Sequence, residues 1–385
     1  MMSHTSIRVS LDAVETLRHE MAPYFEVYDT SLDVPEAGYF RFRGRPLGVI
    51  EDDYDKLRPL FEQHGFTPLV RQEGHHIALI GLPVVLKAEP IQWRTNIWLF
   101  IGTILTTLLV GAVSEPAYAA IIERAAATGN WSEAITGLSY GLPYCLSILS
   151  ILLAHEFGHF FAALYHGVSA SLPYFIPLPP FLSPFGTLGA FILQREPSKN
   201  IKVQFDIGAA GPLAGLVVAL PLLIYGLSTS PIGPLPQEPY MLEGNSILYM
   251  GLKYLIFGEF LPSAARDVSL NQVAWAGWTG LFITGLNLLP MGQLDGGRVV
   301  QVLFGRKILA QLYWPVLLSL GLISLFAGAP IWIVMIALLY FFGRNYEEPL
   351  DAVTPLDPKR RALAILTFII FFFIFVPIPL EYITP

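Results

Sequence analysis

Two histidines and a glutamate, in His155-Glu156-Phe157-Gly158-His159, stand inside a stretch as apolar as a membrane span. Ionisable groups in hydrocarbon are costly, so their presence there points to function. Helical positions i and i+4 lie on one face, so His155 and His159 can share one metal ion. Glu156, beside the first ligand, is placed to act as a base on a water polarised by that ion. The chemistry implied is that of a zinc hydrolase working within the bilayer. A catalytic zinc site needs a third protein ligand. His166 returns to the same face, but it lies seven residues past His159, roughly 10 Å along the axis and too far for one ion. Asp295 is the better candidate, in Asn287-Leu288-Leu289-Pro290-Met291-Gly292-Gln293-Leu294-Asp295-Gly296-Gly297. Pro290 and the glycines free the backbone from helix there. Two readings stay open for Asp295: a ligand, or a cap on the helix that starts near Gly296.

The elements that must position these residues follow from composition and patterning. The chain has 385 residues, 54% hydrophobic and 14% charged, as polytopic membrane proteins do. A net charge of −7 without a basic stripe gives no reason to expect nucleic acid. The single cysteine, Cys145, excludes a disulfide framework and a Cys-rich zinc site. Residues 1–88 read as a small α+β soluble domain, with amphipathic helices at 10–22 and 52–64 and strands at 38–43, 66–71 and 76–81. The opening residues MMSHTSIRVS lack the apolar core of a signal peptide. His75 and His76 are adjacent, as in a solvated turn.

Seven apolar segments follow, at 96–113, 138–165, 208–228, 273–290, 309–326, 330–343 and 362–380, the fifth and sixth forming a helical hairpin across a Gly-Ala-Pro link. With the N-terminus in the cytoplasm, seven spans put Lys87, Arg94, Arg195, Lys199, Lys202, Arg298, Arg306, Lys307, Arg344, Lys359, Arg360 and Arg361 on the cytoplasmic side. Only Arg124, Lys253 and Arg266 fall outside, and the H-E-x-x-H motif lies in the cytoplasmic half. Residues 171–193 carry five prolines and suit a re-entrant hairpin better than a span. Within it Gly186, Thr187, Leu188, Gly189 and Ala190 offer a strand edge for an extended substrate, or else a packed hairpin that shields the site. Residues 245–260 read as a short interfacial helix. Gly208, Ala209, Ala210, Gly211, Ala214 and Gly215 form a small-residue face that brings the third span against the motif helix. Asp206 reads as an interfacial cap and Arg298 as a cytoplasmic anchor. The expected architecture is an α-helical polytopic membrane protein with a metalloprotease core at 96–300 and C-terminal helices at 301–385.

HEFGH in one membrane helix, followed far downstream by N-L-L-P-x-x-x-L-D-G-G, resembles the site-two protease family of intramembrane zinc metalloproteases. The resemblance covers about residues 96–300. The stretches LPYFIPLP, FGTLGA and FDIGAAGPLAG look most like its plastid and cyanobacterial branch. It implies one zinc ion per chain held by His155, His159 and Asp295, with Glu156 as catalytic base or acid. Asn287 would position substrate or stabilise the oxyanion, and the substrates would be transmembrane proteins. A bacterial plasma membrane is the expected location, with the thylakoid as the alternative. The chain departs from better-known members in an outer loop, 229–272, too short for a PDZ domain, and in Gly215, where many relatives have Asn.

Two other classes compete. A membrane zincin of another family would take a downstream Glu as ligand, but Glu196, Glu238, Glu243 and Glu259 all fall in expected loops. A metal transporter or silent scaffold would show ionisable residues along several spans, or loss of Glu156 or a ligand; neither pattern is present in the sequence.

Overall fold

A computed structural model describes residues 10–86, 93–326, 328, 331–344 and 346–384. Lys87, most of the MMSHTSIRVS opening and the Ala-Pro of the expected hairpin link lie outside these.

The N-terminal region runs α1 (Leu11–Glu20), β1 (Phe25–Leu32), β2 (Phe40–Pro46), α2 (Ile50–Gln63), β3 (Thr67–Glu73) and β4 (His76–Leu82), with an antiparallel sheet in the order β1-β2-β4-β3. Alternation in β2 buries Phe40 and Phe42, while Arg41 and Arg43 on the other face reach Glu73. In α2 the stripe Ile50, Tyr54, Leu57 and Phe61 packs on those phenylalanines. The sequence reading omitted β1, whose FEVYDTSL mixes polar and apolar residues. His75 lies in the β3–β4 turn.

The rest is mainly helical. In order come α3 (Arg94–Val113), α4 (Pro116–Thr128), α5 (Ser132–Gly137), a 3-10 turn, and α6 (Leu142–Tyr165). The strands β5 (Tyr174–Pro177) and β6 (Thr187–Phe191) then pair as an antiparallel hairpin. After α7 (Ile201–Ser228) come β7 (Ile232–Pro234), β8 (Tyr240–Glu243), α8 (Ile247–Phe257) and β9 (Arg266–Val268). The chain ends with α9 (Gln272–Asn287), α10 (Asp295–Phe304), α11 (Arg306–Phe326), α12 (Ile331–Phe342), α13 (Pro358–Ile374) and β10 (Leu380–Ile383).

Among the described residues four helical runs are long and apolar enough to cross a membrane: Arg94–Val113, Ser132–Tyr165, Ile201–Ser228 and Arg306–Phe326. The other expected spans form the shorter helices α9, α12 and α13, of 16, 12 and 17 residues. At 1.5 Å per residue these reach about 18–26 Å, less than a typical hydrocarbon core.

Helices α6, α7 and α9 pack closely because small residues meet at their seams. A Cβ on Gly158 would lie 2.6 Å from the carbonyl oxygen of Ala210, and one on Gly277 2.7 Å from the Leu223 backbone. Of the small-residue face of α7, Ala210, Gly211, Ala214 and Gly215 lie against the motif helix, while Gly208 lies against Arg298 of α10 and Ala209 clusters with Val299. Asn200 caps α7 by accepting from the Lys202 and Val203 amides.

One long-range link had no sequence signal. Val70 N–H donates to Leu350 O (2.8 Å) and Ala352 N–H to Val70 O (3.1 Å), so residues 350–352 cover the β3 edge. On their other side the Leu350 and Asp351 amides donate to Ser198 and Lys199 carbonyls. The ion pairs Lys199–Asp55, Lys202–Glu51 and Arg58–Glu196 join the same surfaces.

Candidate metal centre

His155, Glu156 and His159 project from α6 and are buried. Asp295 reaches them from another direction. After α9 ends at Asn287, the chain turns through Pro290 and Gly292, whose φ of +49° suits glycine. It then folds back so tightly that Cβ atoms at Gly296 and Gly297 would collide with the carbonyl oxygens of Leu288 and Gly292. The Gly-Gly pair after Asp295 is therefore a requirement of the turn. Helix α10 begins at Asp295 itself; its N-cap is Leu294, without a side-chain cap. The Asp295 carboxylate instead faces the histidines: Oδ2 lies 3.4 Å from His155 Nε2 and 3.2 Å from His159 Nε2.

Those separations suit a shared ion. Donors at about 2.0–2.1 Å from a tetrahedral zinc lie roughly 3.3 Å from each other. The three ligand atoms lie within 4.8 Å of one another, the one such His/Cys/Asp/Glu group among the described residues. Outer contacts orient the rings. His159 Nδ1 donates to the Ile207 carbonyl at 2.6 Å, which leaves Nε2 with its lone pair toward Asp295. Gly211 and Gly215 on α7 give the two rings room. Glu156 Oε2 is buried without a hydrogen-bond partner, so that atom holds nothing in the fold by hydrogen bonding. Asn287 Nδ2 lies 3.2 Å from His155 Nε2.

These groups line a cavity of about 130 Å³, together with Ala190, Phe191, Ile192, Ile207, Gln293, Leu294 and Arg298. Gly186, Thr187, Leu188 and Gly189 sit just upstream on the hairpin rather than in the cavity wall. Thr187 turns inward, donating to Ile176 O and accepting from Gly189 N, while Leu188 faces outward beside α12. Glu196, Glu238, Glu243 and Glu259 are not in the cavity wall; Glu243 meets Tyr249 and Lys253 instead.

Two readings are corrected. Asp206 lies within α7 and is no cap, because Asn200 already fills that position; it holds Arg360 and His166 at 2.7–2.9 Å. Arg298 is no free cytoplasmic anchor. One helical turn after Asp295 it lies on the same face, and its guanidinium is tied to Gln194 and Glu347. Spacing from Asp295 was the signal that could have found it.

Two buried histidines and an unpartnered glutamate on a helix long enough to cross a membrane, with the Asp295 carboxylate converging on them, define the class of membrane metallopeptidases. Residues 143–328 match the family model "Peptidase family M50". The chain is 28% identical to the probable zinc metalloprotease EGY2, chloroplastic, of Arabidopsis thaliana, over 98% of this chain and 67% of that protein. It is 36% identical to the probable zinc metalloprotease EGY1, chloroplastic, of the same plant, over 62% of this chain and 43% of the relative. The rice (Oryza sativa subsp. japonica) EGY1 is 31% identical over 75% and 51%. The chain thus spans about half the length of the EGY1 relatives and two thirds of EGY2. No solved structure matches. The chain belongs to peptidase family M50, the site-two protease family of zinc metalloproteases.

Proposed function

We propose that this protein is an intramembrane endopeptidase that hydrolyses peptide bonds of membrane-embedded protein substrates. The observation that carries the reading is the convergence of His155, His159 and Asp295 at donor spacing beside the buried, unpartnered Glu156. One zinc ion per chain, held by those three residues, would supply a Lewis acid and a water made nucleophilic near neutral pH. Glu156 takes the proton as water attacks and returns it to the leaving amine. The Asn287 amide donates toward the oxygen that gains charge. An extended substrate adds to the free edge of β6 at Thr187, Leu188 and Gly189, beginning beside Gly186, and runs toward Ala190–Ile192 in the cavity. Strand pairing holds the scissile segment out of its helix, where its carbonyl would be hidden.

The membrane reading is seven spans, with α9, α12 and α13 completing the four longer runs. The N-terminus and the site face the cytoplasm, and the proline-rich hairpin is re-entrant. The membrane is a bacterial plasma membrane; the thylakoid is the alternative that chloroplastic relatives favour. Residues 1–88 form a cytoplasmic domain that screens substrates, 96–300 the protease core, and 301–385 the C-terminal helices. The test is reconstitution with a single-span protein substrate. Cleavage should stop on chelation and return with about one equivalent of zinc per chain; cleavage indifferent to chelation sinks the reading.

A further inference from the structure

We infer that Arg298 is a positioning residue that sets the substrate-bearing strand against the metal helix, an inference that rests on the protease reading above. Arg298 follows Asp295 by one turn of α10 and lines the same cavity. Its stem lies over Gly208, where a Cβ would meet Arg298 Cδ at 2.9 Å. Packing of this kind fixes where the guanidinium goes. From there Nη1 donates to Gln194 Oε1 at 3.2 Å and Nη2 to Glu347 Oε2 at 3.1 Å.

Both partners are themselves held. Gln194 stands three residues past β6, and the segment around it is pinned by Ser171 N–H to Leu193 O and Arg195 N–H to Ser169 O, each 2.9 Å. Its amide nitrogen donates onward to Glu196 O and Ser198 Oγ. The Glu347 carbonyl accepts from Gln204 on α7 and Gln301 on α10, each at 3.0 Å. Arg298 thus joins the segment that ends β6, with Ala190, Phe191 and the following Ile192 in the cavity wall, to the helix that supplies Asp295. An anchor that only faced water would need neither partner. The bond to Gln194 sets the distance between the strand edge and the ligands, so its loss acts on substrate binding and leaves the metal in place.

The experiment uses the full chain in detergent, a fluorogenic peptide containing one membrane segment, and zinc content by atomic absorption. Arg298→Met should raise KM about tenfold, as for loss of one charge-assisted hydrogen bond, with kcat within about threefold and zinc retained. Arg298→Lys should recover part of the loss, since one cation reaches one partner but not both. Gln194→Met, the milder change, should also raise KM, and the double variant should show less than the product of the two effects. Loss of zinc in Arg298→Met, a fall in kcat at unchanged KM, or independent effects of the two substitutions would overturn the inference. If the wild-type protein fails to cleave although zinc is bound, the protease reading itself fails and this inference with it. A cleaving wild type with KM unmoved in either variant sinks the inference alone.

Discussion

Gly211→Ala should weaken zinc binding more than any other single-methyl change in the α6–α7 seam. A Cβ at Gly211 would fall among Nε2, Cδ2 and Cε1 of His159, inside the 3.0 Å that real Cβ atoms keep, and Nε2 is the proposed ligand atom. The ring can retreat only by giving up its 2.6 Å bond to the Ile207 carbonyl or its approach to Asp295. Alternatively the helices move apart and lose contact along the seam. Overpacking of this kind costs about 1–3 kcal/mol, and disturbing the orientation of a ligand costs about 10–100-fold in metal affinity. Gly215→Ala is the internal control: its Cβ would lie 3.2 Å from His155 Cβ and Nδ1, which a shift of a few tenths of an ångström relieves. Gly208→Ala meets the Arg298 stem (Cδ at 2.9 Å, Cβ at 3.1 Å) as its nearest neighbour and neither histidine, so it should leave zinc affinity unchanged. The assay is competition with a chromophoric chelator, with thermal unfolding in detergent run beside it. Equal zinc affinity in Gly211→Ala and wild type, with the fold intact, would refute the geometry assigned to His159.

Asp295→Ala should leave two histidines to hold the ion, so zinc would be lost to a chelator that the wild type resists, as metal content after dialysis would report. Asp357 caps α13, and its hydrogen bond from Arg360 lowers its carboxyl pKa to about 2. A depressed carboxylate stabilises the fold above its unfolded pKa of about 4 and loses that contribution as pH falls toward about 2. Thermal midpoints should therefore drop over that window in the wild type and less in Asp357→Asn, the difference being the readout. Lys199→Glu with Lys202→Glu reverses two ion pairs to Asp55 and Glu51. The N-terminal region should then become easier to clip by limited proteolysis, most of all at low salt, where the new like-charge repulsion is least screened; unchanged digestion would show that backbone pairing at 350–352 suffices.

Much of the site was legible because its chemistry is carried by side chains at periodic spacing. His155 and His159 share a helix face by arithmetic; the turn residues around Asp295 made it a candidate, ligand or cap, and the family resemblance made it the expected third ligand. What escaped depends on backbone atoms or distant partners. The Ile207 carbonyl that orients His159 has no residue-type signature. The pairing of Val70 with 350–352 joins segments some 280 residues apart through main-chain groups, with Arg71 Nη1 added onto the Pro349 and Leu350 carbonyls. Asp206 and Arg298 were misread because a charge near a membrane boundary was assigned to water or to the helix end, whereas each has a fixed side-chain partner. Helix α4, with PAYAAIIERAAAT, was passed over since alanines carry no clear amphipathic pattern. The short α9, α12 and α13 show that apolar length in sequence overstates helix length where turns such as Leu288–Leu294 take over.

Glu156→Gln addresses the central claim most directly. The amide keeps the shape of the side chain and cannot accept the proton from water at neutral pH, while His155, His159 and Asp295 stay intact. Zinc content and cleavage of a single-span substrate, measured on the same preparation, should show metal at the wild-type level and cleavage reduced by at least about 10²-fold. Cleavage by Glu156→Gln at the wild-type rate, with zinc bound, would contradict the account.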